Sequence, residues 1–161
     1  MKKEYTESEA LYKAESYCSV AERCVFDVRM KLQQWGMASG AVDKIIENLI
    51  EDNFINERRY VDAFIREKQR LNHWGRTKIV QALRVKRLPT ALIEEAMKEI
   101  VEDDYLSSLS SLLQKKKKDI KARNEYERYG KLVRYALGRG YEMNDIVHCL
   151  KKCGITDEYM E

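Results

Sequence analysis

The sequence predicts an all-α protein, built as an elongated tandem array of three three-helix modules. One Pro and seven Gly in 161 residues are fewer than β-rich or disordered chains usually carry. Apolar residues recur at the spacing of one helix face, and the pattern is repeated three times at intervals of roughly 50 residues. Composition, periodicity and repetition therefore favour the same helical architecture.

The first helix of each module is predicted from a stretch rich in helix-forming residues. The three stretches cover residues 7–20, 57–71 and 104–118. They align poorly with one another, so the repeat is weak for this helix. The second helix carries an apolar pair four residues apart, which places both side chains on one face. The pairs are Val28 with Leu32, Ile79 with Leu83, and Val133 with Leu137.

The third helix of each module is predicted to begin at a capping residue, because Ser, Thr and Asn side chains accept hydrogen bonds from the first helical N–H groups. The three caps are Ser39, Thr90 and Asn144. Apolar residues follow each cap at the same offsets: Ala41, Val42 and Ile45; Leu92, Ile93 and Ala96; Ile146, Val147 and Leu150. This repeated stripe indicates one buried face per helix.

Short connectors separate the predicted helices, and Gly supplies their backbone freedom at residues 35–38, 72–75 and 138–140. Pro89 lies just before the Thr90 cap, where it cannot break a helix interior. The predicted modules span residues 1–55, 56–103 (a basic module) and 104–161. Each is helix-turn-helix-like and small enough to depend on its neighbours for stability.

The net charge of +3 conceals a strong segregation along the chain. Residues 57–87 contain ten Lys or Arg against three Asp or Glu, residues 88–104 contain one against six, and residues 115–139 contain ten against three. Helices at equivalent places in a repeat array line the same side, so the basic helices are expected to form one positive stripe. Such a stripe suits a polyanion or an acidic protein groove. The alternative interpretation is a set of solvated faces that keep the protein soluble.

Trp74, which lies near His73 and Arg76, is the best aromatic candidate for a contact. An aromatic ring beside Arg suits both base stacking and protein–protein hot spots; the alternative is that Trp74 packs two modules together. The four lysines 115–118 project around a helix, so part of that run is expected to serve solubility. Tyrosines of the third module are expected in a core or at a module boundary: Tyr126, Tyr129 and Tyr135.

Signatures of catalysis and metal binding are absent from the sequence, which has no glycine-rich phosphate loop, nucleophile elbow or His-Glu-x-x-His helix. We therefore expect no enzyme, no catalytic residue, no cofactor and no metal. The polar N-terminus has no apolar run, which predicts a cytoplasmic protein without membrane contact. In the cytoplasm the cysteines are expected to be reduced, and their spacings match neither a Cys-x-x-Cys pair nor a zinc pattern: Cys18, Cys24, Cys149 and Cys153.

Four segments carry motifs whose order and spacing can be compared with known families: Arg23–Leu32, Phe54–Phe64, Trp74–Ile79 with Leu83, and Arg139–Tyr141 with Ile146. Together they resemble the RecX family over nearly the whole chain. The third segment resembles that family's Gly-x-x-x-Ile-x-x-x-Leu helix, and the fourth is similar to its Arg-Gly-Phe signature. The chain departs from the family at Asn56-Glu57, where an acidic pair is usual, and at Lys86-Arg87-Leu88, which lacks a Gly.

The resemblance implies that the protein is a tandem three-helix repeat that binds RecA. It would lie in the helical groove of the RecA–DNA filament and lower RecA's ATPase, strand-exchange and co-protease activities. We expect a monomer that contacts single- or double-stranded DNA weakly at most. The predicted contact residues, chosen from the basic helices, are Arg66, Arg70, Trp74, Arg76, Lys78, Arg84, Lys86, Arg87, Arg128, Lys131 and Arg134.

Two other functions remain open at the level of sequence. A direct DNA-binding helix-turn-helix-type protein would place the third helix of a module in the major groove. That helix is acidic in the second module and nearly neutral in the third, which suits a negatively charged groove poorly. A passive scaffold would need an exposed apolar patch, which the sequence does not show.

Overall fold

The computed structural model describes residues 4–155 as a series of helices joined by turns. Residues 1–3 and 156–161, which form the outer ends of the first and third predicted modules, lie outside the described residues. The described part contains nine helices: α1 (Glu7–Val20), α2 (Val25–Gln34), α3 (Ser39–Glu51), α4 (Glu57–Arg70), α5 (Arg76–Val85), α6 (Thr90–Met97), α7 (Glu102–Asp119), α8 (Glu125–Gly138) and α9 (Met143–Lys152). This order confirms the predicted all-α tandem arrangement. None of these helices is both long and apolar enough to cross a membrane.

The repeat of the second and third helices holds in the structure, but the third module is shifted by one residue. Buried apolar residues occupy matching positions: Val28, Leu32, Val42 and Ile45; Ile79, Leu83, Ile93 and Ala96; Leu132, Ala136, Ile146 and Cys149. The predicted pair of Val133 and Leu137 is therefore wrong in register, because Leu137 is 45% exposed. A step of one residue turns a helix by about 100°, which is enough to exchange a core position for a surface one.

Side chains do not cap the third helices at the predicted residues. Helices α3 and α6 begin at Ser39 and Thr90, and Asn144 is the second residue of α9, so all three lie inside their helices. Ala38 and Glu142 hold the N-cap positions of α3 and α9 and make no side-chain capping hydrogen bond. The predicted caps Ser39 and Asn144 are wrong because the extended residue that precedes each helix lies one or two positions earlier, and Thr90 is itself the first residue of α6.

The described chain groups into two compact units, each with its own core. The first unit comprises residues up to 64 together with 83–93, and the second comprises 65–82 together with residues from 94 onward. In the first unit α1, α2 and α3 pack around Ala10, Ala14, Val28, Leu32, Val42, Ile45, Ile46, Leu49 and Ile55. In the second unit α7, α8 and α9 pack around Tyr105, Leu109, Leu113, Leu132, Ala136, Ile146 and Leu150. The predicted module boundaries stay a prediction, since these units group residues by contact and divide α4, α5 and α6.

In the second unit, the turn before α5 and the turn after α8 touch through their backbones. The Gly75 N–H donates to the Arg139 carbonyl (2.7 Å), and the Thr77 N–H donates to the Gly140 carbonyl (3.1 Å). The first N–H groups of a helix have no partner within it, so the second bond satisfies one of them. A Cβ on Gly75 would lie 2.4 Å from the carbonyl group of Gly140, so only Gly fits. We call this contact the Gly75–Gly140 junction. It joins Trp74–Ile79 to Arg139–Tyr141, two of the segments whose motifs resemble those of the RecX family.

Charged side chains fix the start of α2 in the first unit. The Val25 N–H donates to the Glu57 carboxylate at 3.5 Å, and burial raises the pKa of Glu57. The Lys86 ammonium donates to Asp27 two residues further along α2, and this hydrogen bond raises the pKa of Lys86. The N-terminus of α2 is thus held by charged side chains, whereas the N-terminus of α5 is held by backbone carbonyls.

A residue with left-handed backbone follows the second helix of every module. Gly36 has φ 82°, Arg87 has φ 57° and Gly140 has φ 96°. These positions match in the repeat, and Arg87 is the one without a Gly. A left-handed conformation costs an L-residue about 1 kcal/mol, so Arg87 holds local strain that the other two modules avoid.

Alanine at the junction is expected to destabilise the protein. In Gly75→Ala the new Cβ would lie 2.4 Å from backbone atoms of Gly140 and Tyr141, so the free energy of unfolding should fall by about 2 kcal/mol. Urea unfolding followed by circular dichroism measures the change. Gly138→Ala is the matched control, since its Cβ would meet nothing within 4 Å. Equal midpoints for the two variants would contradict the close approach.

Glycine at position 87 is expected to stabilise the protein. Arg87→Gly relieves the left-handed strain, which should raise the free energy of unfolding by about 0.5–1 kcal/mol after the entropy of the unfolded Gly is counted. Arg84→Gly, which removes an exposed Arg inside α5, should lower it by about 1 kcal/mol. Thermal unfolding of both variants tests the contrast. A decrease for Arg87→Gly would show that its side chain, not its backbone, dominates at this position.

Candidate partner-binding surface

Trp74 lies in the turn between α4 and α5 and carries two cations on its ring. The Nζ atoms of Lys68 and Lys78 each lie 4.8 Å from the ring centroid. The turn is fixed by His73, whose φ is 52°, and by the Trp74 N–H, which donates to the Lys68 carbonyl at 3.0 Å. A cation over an indole ring is held by the ring's negative face. Trp74 therefore presents a half-buried ring with two positive charges at fixed positions.

Tyr135 on α8 forms a second cluster of the same kind in the same unit. The Lys116 Nζ lies 4.6 Å from its ring centroid, and the Arg139 guanidinium carbon lies 5.4 Å from it. Lys116 comes from the last turn of α7, and Arg139 caps the end of α8. The packing of α7 against α8 thus brings two cations to one aromatic ring.

Two hydrogen bonds join the Trp74 and Tyr135 clusters. The Lys78 ammonium donates to the Gly138 carbonyl at 3.4 Å, and the Arg139 guanidinium donates to the Asn72 carbonyl at 2.7 Å. The Lys78 bond ends on the last residue of α8, the helix that bears Tyr135, and the Arg139 bond ends in the turn that bears Trp74. We call the combined set the cation–aromatic surface; it consists of Lys68, Trp74, Lys78, Lys116, Tyr135 and Arg139.

Three of the predicted contact residues in the second unit are exposed and have no hydrogen bond or ion pair with any described residue. These are Arg66 and Arg70 on α4 and Arg134 on α8. Arg66 and Arg70 lie four residues apart, so they share one face of α4. Their guanidinium groups are available to a partner without breaking an existing contact.

Arg76 is the predicted contact residue that the fold uses most. Its guanidinium donates to Glu102, lies 3.9 Å from Asp145, and stacks 4.0 Å from the centroid of the Tyr105 ring. Its backbone N–H also donates to the Tyr105 hydroxyl at 3.0 Å. With two carboxylates and a ring already around it, Arg76 holds α5 to α7 and α9. Its role in binding a partner stays a prediction.

The remaining predicted residues of the second module lie in the first unit. Arg84 is exposed and has no hydrogen bond or ion pair with the described residues. Lys86 is paired with Asp27, and the Phe26 ring lies 5.5 Å from the Lys86 Nζ and 5.8 Å from the Arg87 guanidinium carbon. The first unit therefore has an aromatic ring with two cations of its own.

The predicted contacts on α8 are partly neutralised by neighbouring carboxylates. Arg128 pairs with Glu125 at 2.6 Å, and Lys131 pairs with Glu127 at 3.2 Å. The Lys131 ammonium also donates to the Lys121 carbonyl. Hydrogen bonds from Arg123 and then Lys131 lower the pKa of Glu127, which keeps that carboxylate ionised. Arg134 is thus the predicted cation of α8 with the fewest existing contacts.

Four residues of the cation–aromatic surface were not predicted: Lys68, Lys116, Tyr135 and Arg139. Lys116 lies in a run of lysines of which at least part is expected to serve solubility, and Tyr135, expected in a core or at a module boundary, does pack against the core of the second unit. Both assignments followed from local sequence, in which nothing reveals that α7 and α8 bring these side chains together. The position of Arg139 within an Arg-Gly-Tyr motif was the only available signal.

Comparison with known proteins finds family models that match more than half of the chain. RecX, second three-helix domain, matches residues 56–97, and RecX, third three-helix domain, matches residues 102–150. Regulatory protein RecX of Clostridium tetani is 31% identical over 139 residues, which cover 84% of this chain and 62% of that protein. The Vibrio parahaemolyticus protein of the same name is 32% identical over 127 residues, which cover 78% of this chain and 79% of that protein.

Solved structures share the fold. The crystal structure of RecX from Lactobacillus salivarius superposes with a TM-score of 0.78 at 20% identity, covering 92% of this chain and 96% of that one. A second structure, of regulatory protein RecX, gives a TM-score of 0.79 at 20% identity and covers 90% of this chain and 74% of that one. The two family models and the relatives at 31% and 32% identity show that the chain belongs to the RecX family.

Proposed function

We propose that this protein regulates RecA by binding the RecA–DNA filament in its helical groove, and that it lowers the filament's ATPase, strand-exchange and co-protease activities. It acts in the cytoplasm as a monomer, by binding and without catalysis. The observation that carries the proposal is the cation–aromatic surface, together with the unpaired Arg66, Arg70 and Arg134 of the same unit. The name shared by its relatives, regulatory protein RecX, supports it.

The surface has the composition of a binding hot spot. Trp, Tyr and Arg are the residues that contribute most to protein–protein affinity when they are held rigidly. Trp74 and Tyr135 are held by their cations and by the Gly75–Gly140 junction, so little side-chain entropy is lost on binding. The exposed arginines add attraction for an acidic groove and accelerate association. Repeated modules would extend the contact over successive RecA subunits.

Direct DNA binding through a recognition helix is the second candidate. Exposed Glu94 and Glu95 lie on α6, which has no Lys or Arg of its own. On α9 the two lysines lie in the last turn and Asp145 lies in the first. The N-terminal part of a recognition helix enters the groove and reads base edges. Helix α6 carries negative charge, and the N-terminal part of α9 carries no positive charge, so neither helix would be attracted to the DNA phosphates. The geometry favours a protein partner, with DNA contact restricted to the exposed arginines.

Reversal of the unpaired charges is expected to weaken inhibition of RecA. In the variant with Arg66, Arg70 and Arg134 changed to Glu, each lost exposed pair contributes up to about 1 kcal/mol, so half-inhibition of the DNA-dependent RecA ATPase should need about tenfold more protein or greater. A matched control changes exposed Lys44, Lys98 and Lys151 to Glu, which gives the same change in net charge. Equal loss of inhibition in both variants would mean that only the net charge matters. If the native protein does not inhibit the RecA ATPase at all, RecA regulation is excluded.

Removal of the Trp74 ring is expected to reduce inhibition without unfolding the protein. Trp74→Ala should raise the half-inhibition concentration about tenfold or more, as for a hot-spot aromatic, whereas Trp74→Phe keeps an aromatic face and should retain most of the effect. The melting temperature of each variant is measured in parallel. If Trp74 only packs modules together, Trp74→Ala will lower the melting temperature and its inhibition will be normal below that temperature.

A further inference from the structure

A cavity in the second unit shares none of its described lining residues with the cation–aromatic surface. It has a volume of about 520 Å³, within the range of small-ligand sites. Helices α7, α8 and α9 contribute its lining, which among the described residues consists of Gln114, Lys117, Lys118, Ile120, Arg128 and Cys153.

All the charged side chains among the described lining residues of this cavity are positive. Lys117, Lys118 and Arg128 line it, and no Asp or Glu is among the described lining residues. Glu125 pairs with one Nη of Arg128 and so partly balances that cation, whereas Glu127 is held by Arg123 and Lys131. Lys117 and Lys118 have no such carboxylate among the described lining residues, and like charges around one space repel one another unless an anion balances them.

Arg128 supplies a second observation. Its Nε atom is buried and has no hydrogen-bond partner among the described residues. Buried donors without a partner are uncommon because they lose water and gain nothing in return. The guanidinium offers five N–H groups in a planar fork that matches the oxygens of an oxyanion. An oxyanion in the cavity would balance the charges of Lys117 and Lys118 and accept hydrogen bonds from guanidinium N–H groups of Arg128 that Glu125 leaves unused.

We propose that this cavity binds a phosphate group through Lys117, Lys118 and Arg128. A phosphate monoester carries about −1.5 to −2 charges and three acceptor oxygens, which fits three cations better than the single charge of a carboxylate. Lys binds phosphate as a point charge, and Arg binds it through paired hydrogen bonds. The phosphate comes either from a free anion or from a nucleic-acid backbone, and the chemistry of the site is shared by the two. The inference goes beyond the proposed function, since it does not require RecA.

Cys153 provides a direct measure of occupancy. Its thiol lines the cavity and is half-buried, whereas Cys18 belongs to the first unit, is half-buried and is not among the described lining residues. Alkylation of the full chain by iodoacetamide, followed by mass spectrometry of the two cysteine peptides, is measured with inorganic pyrophosphate, with a short oligothymidylate, or with acetate. Ionic strength is held constant with NaCl, so that screening does not differ between samples.

We expect a phosphate ligand to slow alkylation of Cys153 several-fold and to leave Cys18 unchanged. Changing both Lys117 and Lys118 to Gln should abolish the protection. The matched control changes Lys115 and Lys121 to Gln, which removes the same amount of charge. These two lysines are exposed and are not among the described lining residues of the cavity. Protection by pyrophosphate alone identifies a free anion or terminal phosphate as the ligand, and protection by oligothymidylate identifies a backbone phosphate.

Three results would overturn the proposal. They are the absence of protection by either phosphate probe, undiminished protection in the Lys117 and Lys118 variant, and equal protection by acetate. Because the assay contains no RecA, these results leave the proposed filament binding untouched. Conversely, if a phosphate probe protects Cys153 but the protein has no effect on the RecA ATPase, filament regulation is contradicted and the phosphate site is supported.

Discussion

The second unit depends on the close approach of two glycine backbones. A Cβ on Gly75 would lie 2.4 Å from the carbonyl group of Gly140, and a Cβ on Gly140 would lie 2.4 Å from the Lys78 Cβ and 3.1 Å from the Gly75 carbonyl oxygen. This close approach allows the carbonyls of Arg139 and Gly140 to accept hydrogen bonds from the start of α5. Trp74 and Arg139 immediately precede the two glycines, so the junction also sets where their side chains emerge. The cation–aromatic surface is a consequence of a backbone contact.

The cations of this protein fall into three groups that local sequence does not distinguish. Arg76 and Lys86 are paired with carboxylates and hold helices together. Lys68 and Lys78 rest on an aromatic ring, where they remain charged and positioned. A third group, which includes Arg66, is exposed and unpaired among the described residues. Only the third group can bind an acidic partner without giving up a contact with the described residues.

Much of the fold follows from local physics. Helix positions, the threefold repeat and the segregation of charge depend on residues within one or two turns of each other, and all are legible in the sequence. The error in the register of α8 has a cause in the packing. The buried face of α8 contains Leu132 and Ala136, and Val133 on the neighbouring stripe is also mostly buried. Periodicity therefore allowed two alignments one residue apart, and packing against α7 and α9 selected one of them.

The sequence by itself determined that this chain is a tandem helical protein of the RecX family with two basic stretches, because hydrophobic periodicity and motif spacing are properties of neighbouring residues. The tertiary structure decided which cations remain available. The Lys86 bond to Asp27 joins residues 59 positions apart, and the Arg139 bond to Asn72 joins residues 67 positions apart. Such pairs form only when packed cores bring distant helices together, and no local pattern encodes them.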